Sequence, residues 1–201
     1  MVFEWDDFGA NHVISDQCQS HDCRDQLYQL KTINDNFKCT LFAIPAEMTL
    51  ELYNWAISNE NWVELAVHGF NHTSNYEASD WTWNDMERLS EYIEEYSPPF
   101  KKIFRAPGWQ ISDEALQWLA ENDWVVCDQS YNDHRRPDML AYVRHDGDVF
   151  KVGSKEMPAY HGHTWDVGWN GIYEDFEKVA GIVKNTTDFK FISECFDKEV
   201  V

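Results

Sequence analysis

Short apolar runs alternate with helix-like segments along most of this 201-residue chain. The apolar runs predict eight strands, at residues 2–5, 39–44, 63–67, 102–105, 124–127, 149–152, 157–160 and 189–192. The spacing of apolar residues elsewhere predicts five helices, at residues 24–34, 50–58, 83–96, 113–121 and 173–184. This alternation is typical of α/β proteins, in which helices pack against a mainly parallel sheet.

Polar residues stand at the ends of five predicted strands. These residues are Asp6, Asp7, His68, Arg105, Asp128, His161 and His163. In a (β/α) barrel, functional side chains come from the C-terminal ends of several different strands. We therefore expect a TIM-barrel-like (β/α) barrel rather than an open sheet. The chain is short for eight full units, so we expect the barrel to be distorted or incomplete, within a single domain spanning residues 1–201.

The formal net charge of −20 argues against binding to nucleic acid or to an anionic membrane, because phosphate groups need a cationic surface. No apolar run approaches the length of a transmembrane helix. The chain opens directly on a predicted strand, without a signal peptide, and its five cysteines show no disulfide pattern. We therefore expect a cytoplasmic protein, although a phage-encoded enzyme or a trimmed secreted protein would look the same.

Two histidines and two aspartates have spacings that suit a metal site. In "HGFNH", His68 and His72 are four residues apart, and on a helical turn such residues lie about 5–6 Å from each other. Two imidazoles so placed can bind one divalent cation. In "FEWDDFG", Asp6 and Asp7 follow the first strand, so one carboxylate can bind the cation while the other stays free. Taken alone, each motif also fits an ordinary surface loop.

Further along the chain, "IFRAPGW" places Arg105 at a strand end, where it can hold a carboxylate ionised and oriented. In "AYHGHTW", His161 and His163 are two residues apart, so in an extended chain they point the same way. Either one is a candidate general acid, because the pKa of an unperturbed histidine lies near neutrality. A surface ion pair and structural histidines are the competing interpretations.

Aromatic residues make up 15% of the chain, and aromatic rings can form a core or line a groove for a sugar ring. Trp109 and Trp165 each adjoin one of the candidate catalytic segments. Pro107 lies in the same turn as Trp109. We expect these three residues to contact the substrate.

Together, and in this order, the segments resemble the five motifs of the polysaccharide deacetylase family (chitooligosaccharide deacetylase homology domain), a family of carbohydrate esterases. "WDDFG" is similar to the family's Asp-Asp pair, and "RAPGW" to its Arg-x-Pro. "HGFNH" is similar to His-(Ser/Thr)-x-x-His, with Gly69 in place of the hydroxyl residue. "VVCDQSYND" offers Asp128 or Asp133 for the fourth motif. "AYHGH" loosely resembles Leu-x-His, with Ala159 in the Leu position.

The resemblance implies a distorted (β/α) barrel that holds a divalent metal ion, with zinc the expected ion. By motif position, it makes Asp7, His68 and His72 the metal ligands. Asp6 would be the catalytic base, and Arg105 would orient it. A metal held by two histidines and one aspartate keeps coordination positions open for water and substrate, as catalytic zinc requires.

The resemblance also makes His161 the general acid, steadied by Asp128, although His163 and Asp133 stay open as alternatives. The activity it implies is removal of N-acetyl or O-acetyl groups from a carbohydrate by metal-activated water. Two other functions remain open: hydrolysis of another C–N bond, in a small amide, imide or ureide, and carbohydrate binding by a protein with a degenerate site. The expected partner is an acetylated sugar or oligosaccharide.

Overall fold

The computed structural model describes residues 1–15, 18–96, 100–129, 137, 141–146, 148–165, 171–173 and 175–196, with the backbone alone at 96, 129 and 141–146. The strands are β1 (Val2–Phe8), β2 (His12–Val13), β3 (Gln19–Ser20), β4 (Cys39–Ala43), β5 (Val63–His68), β6 (Phe100–Arg105), β7 (Val125–Gln129), β8 (Ala141–Asp146), β9 (Val149–Val152) and β10 (Lys155–His163). The helices are α1 (Arg24–Ile33), α2 (Leu50–Ser58), α3 (Trp83–Tyr96), α4 (Asp113–Glu121) and α5 (Phe176–Asn185).

Eight strands close into a barrel in the order β1-β10-β9-β8-β7-β6-β5-β4, while β2 and β3 form a separate two-stranded sheet. The barrel ladders are parallel except the two that β9 makes with β8 and β10. The predicted distorted (β/α) barrel is confirmed. Because all its strands but β9 run in one direction, their C-terminal ends meet at one mouth of the barrel.

The side chains of β1 alternate between two buried layers. Phe3 and Trp5 belong to the apolar cluster that joins the barrel to the helices, whereas Val2 belongs to a smaller cluster made mainly of alternate residues from the barrel strands. Glu4 and Asp6 point to the same face of the strand as Val2, and both are buried. The interior of the barrel therefore receives both apolar and charged side chains from this strand.

Two parts of the predicted strand pattern are wrong. Residues 189–192 form no strand: Lys190 makes one isolated bridge to Val2, and a short 3-10 helix follows at Ser193–Cys195. Their apolar side chains are needed for packing, since Phe189 joins the outer cluster and Ile192 the interior one. The structure also forms β2, β3 and β8, for which no strand was predicted.

Helices α2, α3 and α4 have the predicted bounds. The predicted N-cap of α4 is confirmed, because the hydroxyl of Ser112 accepts a hydrogen bond from the N–H of Ala115 at 3.0 Å. In the described part of the chain, the structure contains no helix both long and apolar enough to cross a membrane.

Candidate active site

The three predicted metal ligands converge at the mouth of the barrel. Asp7 Oδ1 lies 3.2 Å from His72 Nε2 and 3.5 Å from His68 Nε2. A tetrahedral zinc ion with bonds of about 2.0–2.1 Å would separate its ligand atoms by about 3.3 Å. All three side chains are buried, and Asp7 Oδ1 has no hydrogen-bond partner among the described residues. The donor atoms and their spacing therefore fit a divalent cation.

The backbone at the end of β1 brings both aspartates to the mouth. Regular alternation would send Asp6 and Asp7 to opposite faces. Asp7, however, has a left-handed φ of 68°, and the β1–β4 register is irregular between Trp5 and Phe8. Thr164 fixes this segment, because its N–H donates to the Asp6 carbonyl at 2.9 Å and its hydroxyl to the Asp7 carbonyl at 2.7 Å.

His68 is held in the tautomer that a metal ligand needs. Its Nδ1 lies 3.1 Å from the carbonyl oxygen of Arg105, to which it donates, so Nε2 faces Asp7 with a free lone pair. Burial lowers the pKa of His68 to about 4, against a smaller opposing effect of the Asp6 charge. The ring is therefore neutral at pH 7 and ready to bind a cation.

His72 is protonated in the metal-free protein. Burial alone would lower its pKa, but the side chains of Cys18 and Asp7 raise it to about 9. At neutral pH the imidazolium of His72 therefore faces the carboxylate of Asp7, in the place that a cation would take. A cation can bind His72 Nε2 only when this proton leaves.

We expect binding of Zn²⁺ at pH 7 to release about one proton per ion. Because the proton is bound below a pKa of about 9, affinity for the ion should fall as the pH is lowered. Calorimetric titrations at one pH in buffers of different ionisation enthalpy measure the release. The proton release should largely disappear near pH 10. A heat of Zn²⁺ binding that is the same in all buffers at pH 7 would contradict the prediction.

The loop between the two histidines is ordered by a carboxylate that the sequence analysis missed. Glu77 accepts hydrogen bonds from the backbone N–H groups of Phe70 at 3.2 Å, Asn71 at 2.8 Å and His72 at 2.9 Å. Gly69 stands where the family motif has a hydroxyl residue, and it leaves room for this carboxylate. Glu77 therefore anchors the loop that carries His72.

Replacing Gly69 by alanine should displace this loop. An added Cβ would lie 2.4 Å from Glu77 Oε2 and 2.7 Å from Pro107 Cγ, and the glycine has a φ of +64°. We expect a loss of stability of about 1–2 kcal/mol from the left-handed backbone and a metal affinity roughly 10–100-fold lower. Urea unfolding and metal titration measure the two effects.

Gly181 offers a matched control, because it lies in α5 and a Cβ added there would meet no atom within 4 Å apart from its chain neighbours and its own helix backbone. Gly181→Ala should leave metal affinity unchanged and stabilise the protein by about 0.5–1 kcal/mol. Equal metal affinity in the two alanine variants would show that Gly69 is not needed for the geometry of the loop.

Asp6 is held beside this cluster by a buried arginine. Arg105 Nη1 donates to Asp6 Oδ1 at 2.6 Å, and the guanidinium lies 3.8 Å from the ring of Phe42 and 4.6 Å from that of Trp109. Burial alone would raise the pKa of Asp6, but the charge of Arg105, with smaller contributions from His68 and His161, lowers it to about 2. Asp6 is therefore an anion at neutral pH, as a general base must be.

The second oxygen of Asp6 faces two imidazoles. Asp6 Oδ2 lies 3.9 Å from His68 Nε2 and 4.0 Å from His161 Nε2. Asp6, His161 and His163 also bring potential ligand atoms within 4.8 Å of one another. The 4.0 Å separation exceeds the spacing of about 3.3 Å expected around zinc. These distances suit a water molecule or a substrate atom better than a second ion.

His161 is in contact with Glu4, a residue that the sequence analysis did not single out. His161 Nδ1 lies 2.9 Å from Glu4 Oε1, and the ring centroid lies 5.6 Å from that of Trp109. Asp128, predicted to steady His161, is buried at the end of β7. Its alternative, Asp133, lies outside the described residues.

The predicted substrate contacts lie at the same mouth. Trp109 is partly exposed beside Arg105 and His161, whereas Pro107 is buried against the Gly69 loop. The indole Nε1 of Trp165 donates to Asp7 Oδ2. Trp165 also packs on His163, with ring centroids 4.7 Å apart. Trp165 therefore contacts a proposed metal ligand as well as bordering the mouth.

No protein-family model matches this chain, and no curated protein matches it. Several solved structures do share its fold. The Bc1960 peptidoglycan N-acetylglucosamine deacetylase superposes with a TM-score of 0.63 at 16% identity, over 99% of this chain and 88% of that one. The Xyl-CE4 domain of a multidomain xylanase, from the hindgut metagenome of Trinervitermes trinervoides, gives 0.60 at 13% identity, over 100% and 92%.

A family 4 acetyl xylan esterase from Clostridium thermocellum, solved with a cobalt ion, gives a TM-score of 0.60 at 12% identity. The match covers 97% of this chain and 89% of that one. Matches at this level of identity establish the fold, and they extend over nearly the full length of both chains. The protein therefore has the fold of the carbohydrate esterases of family 4, the polysaccharide deacetylase fold.

Proposed function

We propose that this protein is a divalent-metal-dependent hydrolase that removes acetyl groups from an acetylated carbohydrate, with N-acetyl groups the expected target. The observation that carries the proposal is the position of Asp6: an ionised carboxylate, fixed by Arg105, with its second oxygen 3.9 Å from a nitrogen of the His68–His72–Asp7 cluster. A base beside a metal site is the arrangement that metal-assisted hydrolysis requires.

Charge in the buried site supports a resident cation. Glu4, Asp6 and Asp7 bring three carboxylates into the buried site, against two cations: the guanidinium of Arg105, which contacts Glu4 and Asp6, and the imidazolium of His72. Buried carboxylates in excess of their cationic partners are unfavourable unless a proton or a metal ion joins them. Nitrogen from two histidines and oxygen from one aspartate is a donor set typical of catalytic zinc.

In the proposed reaction, Asp7, His68 and His72 hold the cation. A divalent ion there would act as a Lewis acid, lowering the pKa of water and stabilising negative charge. Asp6 accepts the proton of the attacking water through Oδ2, while Arg105 keeps Oδ1 in place. The products are acetate and a carbohydrate with a free amine or hydroxyl.

Departure of an amine requires a proton donor close to the leaving nitrogen. His161 Nε2 lies 4.0 Å from Asp6 Oδ2, so base and acid are neighbours that can both reach the reacting group. His161 delivers the proton to the leaving nitrogen, with His163 beside it, the two rings 5.5 Å apart between centroids. Trp109 and Trp165 border the mouth, where aromatic faces can pack on a sugar ring.

Acetate release tests the proposal. The protein is stripped with a chelator, reloaded with Zn²⁺ or Co²⁺, and incubated with N-acetylglucosamine oligomers and, in parallel, with acetylated xylan. We expect acetate from at least one carbohydrate, only with the metal-loaded protein. Turnover of small cyclic imides or ureides without acetate release would establish the other C–N hydrolase instead. Failure to take up either ion would favour a carbohydrate-binding protein with a degenerate site.

A further inference from the structure

Glu4 lies inside the barrel, directly opposite the proposed general acid. The register of the parallel ladder between β1 and β10 pairs Glu4 with His161, and both side chains share the interior face. Glu4 is fully buried, and its Oε1 lies 2.9 Å from His161 Nδ1. Its other oxygen, Oε2, contacts Nη1 of Arg105. Glu4 therefore contacts both the imidazole of His161 and the guanidinium of Arg105.

The same arginine connects Glu4 to the proposed base. Arg105 Nη1 lies 2.6 Å from Asp6 Oδ1 and 3.3 Å from His161 Nδ1, in addition to its contact with Glu4. With Nδ1 against Glu4, the Nε2 atom of His161 faces Asp6 Oδ2 and the mouth. Glu4 therefore lies on the Nδ1 side of the ring, and Nε2 is the atom that faces the substrate.

Strand alternation argues against Asp128 for this task. Val125 and Cys127 belong to the interior cluster of the barrel, whereas Val126 belongs to the outer one. By regular alternation, Asp128 falls on the same side of the strand as Val126, and Cys127 on the opposite, interior side. The structure places the carboxylate of Glu4, from β1, against the imidazole.

We propose that Glu4 is the positioning residue for the general acid: its carboxylate pairs with the doubly protonated ring of His161, in which Nε2 carries the proton for the leaving nitrogen, and keeps Nε2 toward the mouth. This inference rests on the proposed deacetylase function. Glu4 does not touch the substrate; it acts through His161.

The chemistry of the leaving group separates this role from a structural one. An acetamide releases an amine, which cannot leave unless its nitrogen is protonated, so its hydrolysis depends on His161. An aryl acetate such as 4-nitrophenyl acetate releases a stable phenolate and needs no acid. Loss of the Glu4 carboxylate should therefore impair acetamide hydrolysis and spare aryl ester hydrolysis. General damage to the site would impair both.

The experiment compares Glu4→Gln with the wild-type protein, both loaded with Zn²⁺, on N-acetylglucosamine oligomers and on 4-nitrophenyl acetate. We expect kcat on the acetamide to fall roughly 10–100-fold with little change in KM, the size of effect seen when the partner of a functional histidine is removed. The rate on the aryl ester should change less than about threefold, and the metal content should not change.

Glu64→Gln is the matched control, because Glu64 is another buried glutamate of the barrel and lies away from the site. Its carboxylate accepts hydrogen bonds from the Thr40 hydroxyl at 2.8 Å and from the Ser193 N–H at 3.3 Å. Burial raises the pKa of Glu64 and so favours its neutral form, which glutamine resembles. This variant should leave the ratio of the two activities unchanged. If Glu4→Gln folds poorly, Glu4→Asp keeps the charge but withdraws the carboxylate from His161, and it should show the same selective loss.

Two further readouts complete the test. In a His161→Ala background, Glu4→Gln should cause no additional loss on the acetamide. Ring-nitrogen NMR should show a change of the His161 Nδ1 signal in Glu4→Gln that is larger than the change at Nε2, whatever the substrate. An equal loss on both substrates, additive losses, or an unchanged Nδ1 signal would overturn the role of Glu4 while leaving the deacetylase intact. A wild type without acetamide activity but with the Glu4-dependent Nδ1 signal would overturn the proposed function alone.

Discussion

Replacing Asp6 by asparagine is expected to lower kcat for acetate release by about 10²–10⁴-fold while the metal ion stays bound. Asparagine has nearly the same shape and can still accept a hydrogen bond from Arg105, but it cannot take a proton from water. The proposed metal ligands are unchanged, since the cluster uses Asp7, His68 and His72. Steady-state kinetics and metal analysis of the same preparation measure both quantities.

Asp123 provides the control for this variant, because it lies outside the mouth and has a left-handed φ of 59°, which asparagine tolerates well. Asp123→Asn should have wild-type kcat and metal content. If Asp6→Asn retained near-native turnover, another group would have to accept the proton, and the base would be wrongly assigned.

Replacing His68 by alanine should remove the metal ion and, with it, the activity. His68 is one of three proposed ligands, and its Nδ1–H is held by the Arg105 carbonyl so that Nε2 faces Asp7. Loss of an outer partner of a metal-bound histidine lowers affinity about 10–100-fold, so loss of the histidine itself should exceed that range. Metal titration monitored by calorimetry measures the affinity directly.

His12 is the control histidine, because its exposed side chain contacts Glu47 rather than the mouth. His12→Ala should bind Zn²⁺ as the wild type does. Unchanged metal binding in His68→Ala would place the ion elsewhere and would also remove the basis for Asp6 as the base beside it. Circular dichroism of each variant verifies that the barrel has formed.

The sequence predicted elements best where apolar spacing alone determines the structure. The bounds of α2, α3, α4 and β9 agree with the prediction, because each has a clear periodicity or a short apolar run. The predicted first strand stopped at Trp5, whereas β1 continues to Phe8. Two adjacent aspartates resemble the end of a strand, and only the buried polar mouth of the barrel allows them to remain within it.

The candidate site was predictable in its central residues and not in its supporting ones. Motif order brought out Asp7, His68 and His72, which the structure places together. Glu4 was missed because a glutamate alternating with aromatic residues in a strand normally faces solvent. Its burial depends on closure of the barrel by β10, which lies at the far end of the chain. Glu77 was missed because it acts on backbone N–H groups, which leave no mark in the sequence.

The strand order has a consequence for how the site is assembled during synthesis. The proposed metal ligands come from β1, β5 and the loop that follows β5, and β4 pairs with both of these strands. These segments leave the ribosome before β6 and β10, which carry Arg105 and His161. A nascent chain can therefore bring its ligands for the ion together early, but it stays inert toward substrate until the last barrel strand docks beside the first.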